Sequence, residues 1–251
     1  MDSRVETKIT SGRGILWLIH FAAVLVLASC FAYGTTIYDS LPETIPTHWG
    51  AGGRPDVWEA KSFGTAFFPL LMGAGASALL TLVAAVVPAM VPPEKNPSDW
   101  ELYRREGMVR GTVVALGGTS VLIAALIGAL TVAGWRSPDH VRGGPALVVI
   151  PLILGFLILS YAAAARWARR TAERDGVSPT VEEQEQEEDK RWVGGILYND
   201  PNDPHILVPK RSGTGTGLTV NVGNRRGRAA VVVFLVVFVV VPTVFGVFQA
   251  P

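Results

Sequence analysis

The chain has 251 residues, of which 49% are hydrophobic and only 17% are Asp, Glu, Lys or Arg. A soluble domain carries about 25% charged residues, so this composition describes a membrane protein, and a formal charge of +1 points to neither a nucleic-acid binder nor an acidic-surface protein. The single cysteine, Cys30, excludes an intramolecular disulfide.

In chain order, five apolar blocks are long enough to cross a bilayer: Ile15–Tyr33, Thr65–Val87, Gly111–Trp135, Pro145–Trp167 and Ala229–Phe248. A spanning helix needs roughly 20 such residues. None of the blocks contains an acidic residue or a lysine; His20 and Arg166 are the ionisable groups that touch them, and Arg166 sits at an end, where a long side chain reaches the interface. Trp17, Trp135 and Trp167 lie near block ends, as aromatic belts do. The predicted fold class is an all-α membrane protein: a five-helix transmembrane bundle with a small cytoplasmic antiparallel β-meander.

Basic residues set the orientation. Of the 22 lysines and arginines, eighteen fall on the N-terminal arm and the second and fourth connections, and four on the first and third connections. Cationic residues stay on the cytoplasmic side. The expected localisation is therefore the plasma membrane, multi-pass, with the N-terminus in the cytoplasm and the C-terminus outside. Leu27-Ala28-Ser29-Cys30 also fits a lipoprotein cleavage box, which would make Cys30 a lipidation site. Apolar residues continue past it through Phe31, Ala32 and Tyr33, which favours a retained first helix. Both readings leave residues 38–63 outside.

That outer stretch, YDSLPETIPTHWGAGGRPDVWEAKSF, is dense in turn-forming and aromatic residues. Pro42, Pro46 and Pro55 fix backbone angles, and Gly50, Gly52 and Gly53 permit tight turns. Trp49 and Trp58 suit the headgroup level. A rigid outer cap follows, with His48, Arg54, Asp56 and Lys61 as polar features. His48, Asp39, Asp56, Glu43 and Glu59 match no metal-ligand spacing, so no metal and no cofactor is expected.

In the second connection Ser98 and Glu101 form a capping box, so a helix starts near Asp99 and runs into the third span. Its Glu101, Arg104 and Arg105 read as a solvated face. Gly73, Gly75 and Ser77 in the second span and Gly117, Gly118, Ala124 and Gly128 in the third suit close helix packing. The fourth connection opens with an acidic linker, 168–190, containing Glu182, Glu183, Glu185, Glu187, Glu188 and Asp189. After it come three β-prone runs, Trp192–Tyr198, His205–Val208 and Leu218–Val222, separated by turns. The glycine-rich 213–217 stretch lacks the spacing of a phosphate loop and reads as a hairpin turn. Lys210, Arg211, Arg225, Arg226 and Arg228, next to the last span, are set to meet anionic lipid headgroups or to fix topology. No Ser-His-Asp or Cys-His set emerges, so an enzyme is not expected. The spans carry no acidic residue or lysine to couple an ion, which weighs against a transporter.

The run Tyr38-x-x-Leu41-Pro42-x-x-Ile45-Pro46-x-His48-Trp49, followed by Gly53-x-Pro55-Asp56-x-Trp58-x-x-Lys61, resembles the N-terminal domain of SdpI-type bacterial membrane proteins over roughly residues 15–90. That family includes immunity proteins against a secreted membrane-active peptide toxin. The 191–228 region, with Tyr-Asn-Asp-Pro-x-Asp-Pro, Val-Pro-Lys-Arg and Asn-x-Gly-Asn, resembles a second uncharacterised module of bacterial membrane proteins. The second membrane half of the immunity proteins has no counterpart; the acidic linker and meander stand in its place. The expected domains are 1–90 (two helices and the outer loop 38–63), 91–167 (two further helices), the linker 168–190, and 191–251 (meander and last helix).

The resemblance implies immunity or envelope sensing, with an extracellular peptide as ligand, membrane lipids around the spans, a cytoplasmic protein partner and no nucleic acid. The outer-loop binding candidates are Tyr38, Leu41, Pro42, Pro46, His48, Trp49, Gly53, Pro55, Asp56, Trp58 and Lys61. The alternatives are a transporter or channel subunit, and a structural assembly protein whose cap only positions the first two helices.

Overall fold

The computed structural model describes residues 9–50, 53–90, 97–141, 144–179, 190–193, 197–210 and 218–240. Five helices appear among them: α1 (Leu18–Ile37), α2 (Phe63–Met90), α3 (Asp99–Arg136), α4 (Gly144–Arg174) and α5 (Arg225–Leu235). Short 3-10 turns flank α1 at Arg13–Trp17 and Tyr38–Ser40. Four segments are long and apolar enough to cross a membrane: Arg13–Ser40, Phe63–Ala89, Asp99–Arg136 and Val148–Arg174. Of the fifth block, α5 and the π-helical turn Val236–Val240 are described, and the part from residue 241 onward lies outside the described residues.

The helices are inverted relative to those of a soluble protein. Large apolar side chains point outward, among them Leu18 and Phe21 on α1, Leu71 and Leu82 on α2, and Ile158 and Leu159 on α4. Small residues fill the inside: Ala23, Ala84, Ala115 and Ala124 are buried. Lipid is as apolar as leucine, so helices associate through close approach of small residues instead of burial of large ones. Gly107 and Gly111 on α3 show the principle. A methyl group added to Gly107 would lie 3.0 Å from the Ala168 Cβ, and one added to Gly111 would lie 3.0 Å from the Ala164 Cβ. The expected packing role of small residues in the spans holds at Gly73, Gly117, Gly118 and Gly128, while Gly75 faces open space. Pro151 lies inside α4, as membrane helices tolerate. His20, buried in α1, places Nδ1 3.0 Å from the Thr81 hydroxyl of α2.

The chain forms two compact units. One comprises Trp17–Ala84, Leu116–Phe156 and Val239–Pro251; the other comprises Met1–Leu16, Ala85–Ala115 and Leu157–Phe238. In the first, α1 ends in a 3-10 turn and the chain forms an antiparallel hairpin of β1 (Thr44–Trp49) and β2 (Pro55–Ala60) before α2 begins. Ser62 and Thr65 cap α2 reciprocally: each backbone N–H donates to the other's hydroxyl, at 2.9 and 3.0 Å. The core joins Ala23, Leu27, Leu41, Ile45, Ala66, Phe67, Leu70 and Ala124.

In the second unit, α3 starts as the capping signal predicts, with the Glu101 N–H donating to the Ser98 hydroxyl at 3.3 Å. The first turns of α3 depart from the expected solvated face. Glu101 is buried and Arg104 and Arg105 are half-buried, because Trp100 and Tyr103 pack with Ile9, Ala168 and Ala172 around them. Arg105 donates to the Pro88 carbonyl at 2.9 Å. Deeper along α3, Glu106 accepts from Arg13 and from Arg110 (2.8 Å). Arg110 also donates to the carbonyls of Ile9 and Ser11 at 3.1 and 2.5 Å, with its guanidinium 4.0 Å from the centre of the Trp167 ring.

The β region departs from a three-stranded meander. Among the described residues it contains two hairpins, β3 (Trp192–Val193) with β4 (Leu197–Tyr198), and β5 (Leu207–Pro209) with β6 (Leu218–Val220). The run read as one strand, 192–198, carries Gly194 and Gly195 at its centre, which favour a reversal over an extended strand. A parallel bridge between Tyr198 and Asn221 joins the hairpins. Asn221 is fully buried and serves as the hub: its carbonyl oxygen accepts from the N–H groups of Asp200, Gly223 and Asn224, and its amide donates to the carbonyls of Asp200 and Asp203. The acidic run of the linker (180–189), Arg211 and the glycine-rich 213–217 stretch lie outside the described residues.

Candidate functional site

Residues 44–60 fold as a hairpin that accommodates its prolines, which a strand tolerates at a free edge or a bulge. Pro46 pairs with Trp58, and the register then slips between Pro46 and His48 and again between His48 and Trp49. Thr47 is therefore the extra residue, and the strand bends around it. Past the end of β1, the Gly53 N–H donates to the Gly50 carbonyl and the Gly50 N–H to the Arg54 carbonyl, both at 2.9 Å. Gly53 has φ +70°, a conformation that favours glycine.

Three ties hold the hairpin down. At its base the Lys61 ammonium donates to the Leu41 carbonyl at 2.8 Å and lies 5.7 Å from the centre of the Tyr38 ring. At its far end the Val141 N–H donates to the Gly53 carbonyl at 2.9 Å, and the Trp49 indole N–H donates to the Pro138 carbonyl at 3.2 Å. Between these, Ile45 is buried in the core. An aromatic cluster supports that core: Phe67 lies 4.4 Å from Phe63, 4.9 Å from Phe31 and 5.4 Å from Trp135, whose indole N–H donates to the Ala66 carbonyl.

Between the hairpin and the helices lies a cavity of about 870 Å³ with a predominantly apolar lining. The hairpin side contributes Leu41, Pro42, Ile45, Pro46, His48, Trp49 and Gly53; α2 contributes Thr65, Phe68 and Pro69; α3 and the loop after it contribute Ile127, Leu130, Thr131, Gly134, Trp135, Pro138 and Val141. Its size and apolar walls with a few polar groups are those of a ligand site. The rim carries the pair His48 Nδ1 to Asp56 Oδ1 at 2.5 Å, exposed on both sides and therefore of small energetic weight.

Six of the eleven outer-loop candidates line this cavity: Leu41, Pro42, Pro46, His48, Trp49 and Gly53. Asp56 does not line the cavity but pairs with His48, which does. Tyr38 and Lys61 belong to the clamp at the hairpin base, and Lys61 is spent on the Leu41 carbonyl and the Tyr38 ring. Pro55 pairs with Trp49, and Trp58 stands exposed on β2; neither lines the cavity. Trp49 packs inward against Gly134 rather than standing out as an interfacial anchor. The wall from α3 was missed, since nothing in the 127–141 segment signals that a loop some ninety residues earlier folds onto it.

Of the basic candidates, Lys210 is exposed after β5, and Arg225, Arg226 and Arg228 are exposed on the first turn of α5; Arg211 lies outside the described residues. The Asn224 side chain caps α5 by accepting from the Arg226 N–H at 2.8 Å. No group of three or more His, Cys, Asp or Glu suited to a metal ion occurs among the described residues.

A family model described as a domain of unknown function, DUF1648, matches residues 25–73, and one described as a family of unknown function, DUF5808, matches residues 201–228. The first covers the end of α1, the whole hairpin and the start of α2, and is found in SdpI-like membrane proteins. The chain matches no curated protein and no solved structure. It is thus a membrane protein that matches two families of unknown function, one of them over the segment that forms one side of the hairpin cavity.

Proposed function

We propose that this protein is a non-enzymatic, SdpI-like protein of the bacterial plasma membrane that binds an extracellular peptide in the hairpin cavity, for immunity or envelope sensing. In this reading five helices cross the bilayer, with 229–248 as the fifth. The N-terminus is cytoplasmic and the hairpin and C-terminus lie outside. The observation that carries it is the cavity itself, whose apolar walls suit the apolar face of a membrane-active peptide and whose one side is the domain shared with SdpI-like proteins. Binding would seat an apolar stretch against Trp49 and Ile45, and the His48–Asp56 pair at the rim would meet polar groups of the peptide. A bound peptide is withheld from the bilayer, which is protection; a displaced hairpin is a signal.

The test is challenge of deletion and complemented cells with membrane-active peptides, read as membrane depolarisation. Complementation should protect. The variant Gly134→Val, whose side chain would press on the Trp49 ring only 3.0 Å from the added Cβ, should return depolarisation to the deletion level at unchanged protein abundance. Equal depolarisation of deletion and complemented cells would refute the immunity reading.

A further inference from the structure

The β5–β6 hairpin has the wrong face outward for a module surrounded by water. Directly paired residues of an antiparallel ladder share a face. Val208 pairs with Thr219, and both are 7% exposed. The opposite face carries the pairs Leu207–Val220 and Pro209–Leu218, with Leu207 53% and Leu218 58% exposed. Ile206, just before β5, is exposed as well.

This hairpin is fixed to the start of α5. A methyl group on Gly227 would collide with the Asn221 carbonyl oxygen, so the first turn of the helix lies against the strand with no room for a side chain. Asn221 is the buried hub of the module, with five side-chain hydrogen bonds. Strand and helix turn therefore move as one body.

That turn bears Arg225, Arg226 and Arg228, all exposed, at the end of the helix where the backbone dipole is already positive. Three cations there oppose the dipole, at about 0.3–1 kcal/mol each when exposed, and an anionic partner offsets that cost. Within one further turn the exposed residues become Val232, Val233 and Phe234, the change from cationic to apolar that marks entry into a bilayer. Lys210, beyond β5, adds a fourth exposed cation.

We infer that the β5–β6 hairpin is a membrane-docking element that lays its Leu207–Leu218 face on an anionic bilayer surface, held there by Arg225, Arg226 and Arg228. The occupant of the exposed face is lipid, chosen by charge complementarity and by the continuous path from the hairpin through the basic turn into the apolar helix. The inference rests on the reading of 229–248 as a fifth span, and not on which leaflet the hairpin meets.

The test uses the full-length protein in nanodiscs, with Cys30→Ser and a nitroxide on a single cysteine at Leu218→Cys or Val232→Cys. One set of nanodiscs is phosphatidylcholine alone and the other an equal mixture with phosphatidylglycerol. Relative accessibility to oxygen and to a water-soluble nickel chelate reports immersion. The Leu218 label should be severalfold more protected from nickel in the anionic nanodiscs, and replacing Arg225, Arg226 and Arg228 by glutamine should remove that difference. A Leu218 label open to nickel in both lipids, beside an immersed Val232 label, would overturn the docking while leaving the span intact. An open Val232 label would overturn both. Equal immersion of Leu218 in both lipids would overturn the anionic preference.

Discussion

Replacing Glu106 with alanine is expected to destabilise the protein by about 3–5 kcal/mol, the cost of removing one partner from a buried ion pair. The Glu106 side chain is 3% exposed, between Arg13 at 24% and Arg110 at 11%. Removal leaves two poorly solvated guanidinium groups facing one another. It also frees the segment before α1, because Arg110 is the residue that grips the carbonyls of Ile9 and Ser11. Glu106→Gln, which keeps an acceptor oxygen and loses the charge, should fall between wild type and alanine. Arg110→Lys should also lose stability, because an ammonium cannot reproduce the forked donation and the stacking on Trp167. Unfolding titrations in mixed detergent micelles measure the series. A change below about 0.5 kcal/mol for Glu106→Ala, the scale of an exposed pair, would show that water reaches the cluster.

The second large effect is expected at Gly53. Alanine there must hold a left-handed backbone at φ +70°, at about 1–2 kcal/mol. Its methyl group would also strike the Val141 carbonyl oxygen, a backbone atom that cannot swing aside, with the His140 ring 3.2 Å away; such overpacking costs about 1–3 kcal/mol. The same Val141 donates to the Gly53 carbonyl, so the strain falls on the tie that closes one end of the cavity. Faster hydrogen exchange at the Val141 and Gly50 amides, with the core around Phe67 unchanged, is the expected signature. Exchange at the wild-type rate would mean that the hairpin end is not held by this contact. By contrast Gly75, in open space, should accept alanine with little effect.

The spans were legible because lipid imposes a coarse rule: long apolar stretches without acidic residues or lysine become helices. Their interiors were partly legible too, since small residues mark close approach, as at Gly73 and Gly117. The hairpin was legible as a rigid, turn-rich element but not as a β-ladder. Pro46 interrupts the alternating pattern that identifies a strand, and the bulge at Thr47 shifts what remains by one residue. The cavity was half legible. The residues on the hairpin side stand together in sequence, whereas those on α3 are ordinary span residues until the fold brings them opposite. Glu106 was invisible for another reason. With Arg110 four residues on, it looks like a surface pair on a helix, and only the return of Arg13 and Trp167 to the same place buries it. The two small β hairpins failed as a meander because a run of β-prone residues does not announce that its two ends pair with each other.

A hairpin cavity that receives an extracellular peptide must face the exterior, and Glu43 offers the direct reading, since its side chain is 96% exposed at the hairpin base. In a Cys30→Ser background, Glu43→Cys should react with a membrane-impermeant maleimide in intact cells as readily as after lysis. Labelling only after lysis would put the hairpin in the cytoplasm, and a cavity there could not meet an extracellular peptide.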